Sequence, residues 1–217
     1  MLTYIQRFIR CMVENEVLLF GDFTLKSGRK APYFINAGKY RTGTQIAALG
    51  EYYAECFLEH KVDAKTLVGP AYKGIPLAVA TAVALAKNHG VDVGFCFDRK
   101  EVKDHGEGGM FVGAQLCAGD KVCIIEDVMT SGKALREILP KIRGEADVDV
   151  SAMIISVDRQ EKGTGEKSAV AEAFDEFGIN VYSIVTMEDI IAAIEEGVIA
   201  GKEHLSAMKA YREQYGA

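Results

Sequence analysis

Beyond residue 43, short apolar runs of strand length alternate with longer stretches of helical periodicity. Residues 44–60 read as a helix, "TLVG" as a buried strand, and residues 75–89 as a helix with Pro76 in its first turn and Gly90 just past its end. "VDVGFCF" and "KVCIIED" read as strands separated by a charged, glycine-rich stretch at 98–109. Helical "SGKALREILPKI", the strand "DVSAMIISVD", helical "KSAVAEAFDEFG", the strand "NVYSIV" and two final helices complete the series. Strands that alternate with helices require crossover connections. These are right-handed and produce an α/β fold: a central, mostly parallel sheet with helices on both faces. In such sheets ligands bind beyond the carboxyl ends of the strands. The first 40 residues differ. Leu2, Ile5, Phe8, Ile9, Met12 and Val13 fall at helical spacing, and 17–40 breaks into short apolar pieces punctuated by Gly21, Gly28, Pro32 and Gly38. The organisation expected is a single domain over 1–217, with an N-terminal helix and small lobe at about 1–40 and a core at about 41–217.

Composition removes several function classes. The chain has 217 residues, 49% of them hydrophobic, and a net charge of -6, which argues against nonspecific attachment to nucleic acid. Its five cysteines, Cys11, Cys56, Cys96, Cys117 and Cys123, show no C-x-x-C spacing and mostly sit in apolar runs, the pattern of reduced core thiols rather than of a disulfide or metal framework. Arg7, Arg10, Glu14 and Glu16 interrupt the first segment, so it does not read as an export signal. The longest apolar run, "GIPLAVATAVALA", falls short of the roughly 20 residues that span a bilayer. A soluble, cytoplasmic protein is expected.

The chemistry concentrates in "VCIIEDVMTSGKA", 122–134. If 122–125 form a central strand, Glu126 and Asp127 emerge at its carboxyl end. "MTSG" then delivers the chain to a helix whose first turn exposes free N–H groups, a cradle for phosphate. Thr130 and Ser131 add hydroxyl donors, Gly132 admits close approach of an anion, and Lys133 adds charge. The paired carboxylates repel phosphate, so they should face sugar hydroxyls, or magnesium and its waters. A sugar phosphate satisfies both halves. The alternative is a strand–turn–helix with solvated acids and Ser131 as a simple helix cap. The stretch 98–109 holds four acids, three strong bases and His105. It reads either as a solvated hairpin or, because Gly106, Gly108 and Gly109 make it costly to order, as a lid that closes on ligand and excludes water.

"VCIIEDVMTSGKA" resembles the ribose-phosphate motif of the type I phosphoribosyltransferases: four apolar residues, two acids, two apolar residues, then Thr, a small residue and Gly. "FTLKSGRKAPYFINAG", "GPAYKGIPLA" and "DRKEVKDHGEGG" resemble the hood, diphosphate loop and mobile loop of the members that act on orotate. The resemblance spans nearly the full length. It implies transfer of 5-phosphoribosyl from phosphoribosyl diphosphate (PRPP) to orotate, with Mg2+ bound mainly through PRPP near Glu126 and Asp127.

By resemblance, Tyr72, Lys73 and the backbone of "AYKG" grip the diphosphate, while Arg99, Lys100, Lys103 and His105 close over it. Glu126, Asp127, Val128, Met129, Thr130, Ser131, Gly132, Lys133 and Ala134 hold the ribose phosphate. Lys26, Phe34, Ile35, Thr130 and Arg159 meet the base, with Arg159 suited to the orotate carboxylate. Lys26, Lys100, Lys103, His105 and Asp127 carry the catalytic role. The resemblance also implies a homodimer in which the 98–109 loop reaches the neighbouring subunit's site. The chain departs from the family at Glu126, usually Asp, at Ile35, commonly aromatic, and at Lys133, often a small hydroxyl residue. Two rivals remain: a transferase for another base, and a noncatalytic PRPP sensor, which should carry a nucleic-acid-binding segment or basic face.

Overall fold

The computed structural model describes residues 1–25, 28–103, 109–129, 132–163 and 165–217, the side chains of 101–103 excepted. Helix α1 (Tyr4–Glu14) starts at a capping box, Thr3 with Gln6, and buries Phe8, Ile9 and Met12. Strands β1 (Leu18–Thr24) and β2 (Lys30–Ile35) pair antiparallel as a separate two-stranded sheet. Then follow α2 (Gly43–Glu59), β3 (Thr66–Val68), α3 (Gly74–His89), β4 (Gly94–Lys103), β5 (Gly109–Gly113), β6 (Lys121–Ile125), α4 (Lys133–Glu145), β7 (Asp149–Asp158), α5 (Ala169–Phe177), β8 (Asn180–Thr186), α6 (Met187–Glu195) and α7 (Leu205–Tyr215). Gly90 ends α3 in the left-handed conformation, φ 67°, as its position after the helix suggests.

The six-stranded sheet has the order β5-β4-β3-β6-β7-β8, parallel except for the β4–β5 pair. Its two faces divide β6 by alternate residues. Cys123 and Ile125 pack with α1, α2, α3, α6 and α7, whereas Val122 and Ile124 pack with α4 and α5. A strand buried on both faces must be apolar throughout, and Val122, Cys123, Ile124 and Ile125 are all fully buried. The hairpin shares the first of these clusters: Leu18, Ala31 and Tyr33 pack with Ile190, Met208 and Tyr211. Cys56, Cys96 and Cys123 are buried free thiols. Among the described residues no helix is long and apolar enough to cross a membrane.

Two expectations are corrected. The stretch 98–109 is not one loop: β4 continues through Asp98 to Lys103, and β5 returns from Gly109. An edge hairpin tolerates charges that would be costly in a central strand, so the charged sequence concealed the strand. Residues 104–108 lie outside the described residues. Helix α4 begins at Lys133, not at 131, with Gly132 as its cap at φ 66°.

Backbones approach closely where α3 meets the end of β6. A Cβ added at Gly74 would stand 2.7 Å from the Ile125 carbonyl oxygen and 2.7 Å from Pro70 Cδ. Backbone cannot yield as a side chain does. Gly74→Ala is therefore expected to lower stability by about 1–3 kcal/mol, measured by urea unfolding.

Candidate functional site

The acid pair sits where β6 ends, yet the chain stays stitched to β7 beyond that point. The Glu126 N–H donates to the Ile154 carbonyl (3.0 Å), and the Asp127 carbonyl accepts from the Ser156 N–H (2.8 Å) and hydroxyl (2.6 Å). The Tyr53 hydroxyl, from α2, donates to the Glu126 carbonyl at 2.8 Å. These contacts fix the backbone. The side chains are oriented locally: Glu126 Oε1 accepts from the Asp127 N–H (2.9 Å), and Asp127 Oδ1 from the Val128 N–H (2.8 Å). Both residues are only 8% exposed. Burial, reinforced by the neighbouring Asp127 charge, pushes the Glu126 carboxyl up to about 7. Asp127 Oδ2 instead meets Lys73 Nζ at 2.5 Å.

Two cavities meet at Asp127, and Glu126 lies behind it, lining neither. One of about 340 Å3 is lined by Asp127, Val128, Met129, Gly132, Lys133 and Ala134 at the start of α4. The other, about 610 Å3, lies between the hairpin and the end of β7, and its wall includes Phe34, Ile35, Lys73, Asp127, Arg159 and Glu161. A ligand that spans both must pass Asp127, Val128 and Met129.

Helix ends distinguish this region from the rest of the fold. Thr3, Thr42, Ser168 and Thr186 cap α1, α2, α5 and α6 with their own side chains. No side chain caps α3 or α4, whose starts at Lys73 and Gly132 border the two cavities; α7, also uncapped, follows a turn of 3-10 helix. First-turn N–H groups without an internal partner suit an anion. Lys133, largely exposed, lies 3.6 Å from Glu137 and lines the smaller cavity.

Of the other anticipated groups, Lys100 holds its ammonium 4.4 Å from the centre of the Tyr72 ring, joining β4 to the loop before α3. Arg99 is half-buried and lines neither cavity. Asp98, buried at the root of the hairpin, accepts from the Ala71 N–H (2.8 Å) and pairs with Lys141 of α4. Phe34 stacks on Phe23 at 5.5 Å. Lys26, His105, Thr130, Ser131 and the Lys103 side chain lie outside the described residues.

Arg159 is anchored more firmly than a strand-end cation. Its Nε and Nη2 donate to Glu161 Oε1 at 3.0 and 2.5 Å, and its guanidinium lies over the Tyr33 ring. Burial opposes its charge, but Tyr33 and Glu161 outweigh that and raise its pKa further. Glu161 was not anticipated: β7 ends at Asp158 and Gln160 turns the chain at φ 51°, so no strand alternation links it to Arg159. Its tyrosine partners, Tyr33 and Tyr211, had no local signal at all.

Comparison with known proteins agrees with this geometry. Residues 40–191 match the model of the phosphoribosyl transferase domain. The chain is 47% identical over 221 residues to an orotate phosphoribosyltransferase of Clostridium botulinum, covering 99% of each chain. It is 48% identical over 216 residues to one of Salmonella paratyphi A, covering 100% of each. The crystal structure of orotate phosphoribosyltransferase from Francisella tularensis superposes with a TM-score of 0.88 at 39% identity, covering 97% of this chain and 100% of that one.

The Glu126 environment has a measurable consequence. Its folded pKa of about 7 lies above the ordinary 4.5, so the folded chain keeps a proton that the unfolded chain releases. Stability should fall as pH rises from 4.5 through 7. Glu126→Gln, which cannot ionise, should escape that loss, gaining on the unaltered protein by about 3 kcal/mol across the window in urea unfolding at stepped pH.

Proposed function

This chain belongs to the orotate phosphoribosyltransferase family, and from that premise we infer that it transfers 5-phosphoribosyl from PRPP to orotate. The products are orotidine 5'-monophosphate and diphosphate, a step of pyrimidine biosynthesis. The observation that carries the reading is Asp127, of the buried acid pair, shared by two cavities, one opening on the uncapped start of α4 and the other holding a fixed guanidinium. The smaller cavity takes the 5-phosphate, the acids take the ribose hydroxyls, and the larger cleft takes the base.

Displacement of diphosphate builds oxocarbenium character on the ribose and negative charge on the leaving group, so the site must stabilise charge rather than supply a nucleophile. Asp127 and Glu126 place anionic oxygens beside the sugar. Lys73, largely exposed while paired to Asp127, is positioned to neutralise diphosphate oxygens, with Lys100 and Tyr72 at the same end of the sheet. The family resemblance adds Lys26, Lys103 and His105 to these, and Thr130 and Ser131 to the phosphate cradle.

Magnesium fits the donor set in one manner. Among the described residues no group of three or more acidic, histidine or cysteine side chains can cage an ion. Two adjacent carboxylates instead suit an ion held chiefly by substrate oxygens and water, with Glu126 and Asp127 nearby. Bound in that way, it neutralises diphosphate charge. A cytoplasmic location and a homodimer whose 98–109 segment serves the neighbouring site complete the proposal.

Incubation with orotate, PRPP and magnesium, with adenine, hypoxanthine, xanthine and uracil in competition, should give product from orotate alone. Product from a purine would assign another base, and PRPP binding without product would make the protein a sensor. Arg159→Ala should weaken orotate by about 1.5–3 kcal/mol while affecting PRPP far less. For the shared site, Lys103→Ala and Asp127→Ala proteins, each nearly inactive, should recover activity once reassembled as mixed dimers. Verified mixed dimers without recovery would mean that each chain serves its own site.

A further inference from the structure

Glu161 gathers the donors of three separate elements at a single oxygen. Its Oε1 accepts from the Tyr33 hydroxyl of β2 at 2.6 Å, from Arg159 Nη2 and Nε at 2.5 and 3.0 Å, and from the Tyr211 hydroxyl of α7 at 3.2 Å. Arg29 lies 3.6 Å from Oε2. The side chain is 15% exposed, so these partners replace water around it. The segment that bears it is also held by backbone. The Lys162 N–H donates to the Tyr215 carbonyl (2.9 Å), and the Ala217 N–H donates to the Gln160 carbonyl (3.0 Å).

A guanidinium has two edges able to grip a carboxylate. Glu161 takes the edge formed by Nε and Nη2. The other edge, Nη1 with the second hydrogen of Nη2, is not used by Glu161 and can address a planar anion in the cleft. Left unanchored, an arginine samples many rotamers, and binding must immobilise it.

We propose that Glu161 is a positioning residue for base recognition: it locks the Arg159 guanidinium by one edge so that the other is presented to the carboxylate of orotate, and Tyr33 and Tyr211 hold Glu161 in place. This rests on the reading of Arg159 as the partner of that carboxylate. It gives α7, remote from the reacting atoms, a part in choosing the base. Glu161 lines the larger cleft and not the cavity at the start of α4, so its effect should appear in the affinity for the base.

The test measures KM for orotate and for PRPP separately, together with inhibition by uracil, which lacks the carboxylate. Glu161→Gln should raise the orotate KM by about tenfold, with the PRPP KM and uracil inhibition held within about twofold. Tyr211→Phe, which removes one hydroxyl and keeps the ring, should move orotate in the same direction by about two- to threefold. Because Glu161 acts through Arg159, the double variant Glu161→Gln/Arg159→Ala should bind orotate no worse than Arg159→Ala alone. Equal losses for orotate, PRPP and uracil would reduce Glu161 to general structural support. Additive losses in the double variant would overturn the route through Arg159. If Glu161→Gln fails to fold, an unchanged orotate KM in Tyr211→Phe overturns the proposal by itself. An unaltered protein that turns over no orotate would overturn the reading of the reaction and this inference with it; turnover of orotate with no shift in Glu161→Gln would overturn this inference alone.

Discussion

Everything at the site depends on the continuation of backbone pairing past the end of β6. Two buried carboxylates at a strand terminus would ordinarily pull the chain toward water. Here the Ile154 carbonyl, Ser156 and the Tyr53 hydroxyl hold residues 126 and 127 against β7 and α2. A further bridge joins Val128 to Val157. The acids are thereby fixed relative to the sheet, not to a loop. The smaller cavity on one side and the larger cleft on the other inherit that reference point, because both share Asp127, Val128 and Met129.

The division of labour among helix termini follows the same logic. At α1, α2, α5 and α6 a threonine or serine accepts a first-turn N–H, which stabilises that end by about 1 kcal/mol. At α3 and α4 no side chain does so, and both starts lie at the rims of the cavities. At α3 the chain itself closes part of the gap, because the Gly74 N–H donates to the Pro70 carbonyl and Pro76 has no N–H.

How legible this was in the sequence depended on how local each signal is. The β6 run, the acids and the start of α4 are close in sequence, so this strand and helix could be read from thirteen letters, 122–134. The central strands could be read because burial on both faces demands uninterrupted apolar residues. Strand β5 escaped notice because "GMFVG" is short, is bounded by glycines and pairs with a charged partner. Arg159 was visible as a cation at a strand end, but its orientation was not. That orientation comes from Glu161 and from Tyr33 and Tyr211, which meet it across 128 and 50 residues of chain.

This contrast in sequence distance also separates the two cavities by entropic cost. The smaller cavity lies at the junction of β6 and α4, neighbours in the chain, whereas the larger cleft needs the N-terminal hairpin set against α7, with Tyr33 edge-on to Tyr211 at 5.7 Å and bonded to Glu161 across 128 residues. Contacts that close long loops carry a larger entropic cost than local ones. The larger cleft is thus the part of the site that costs most chain entropy to build.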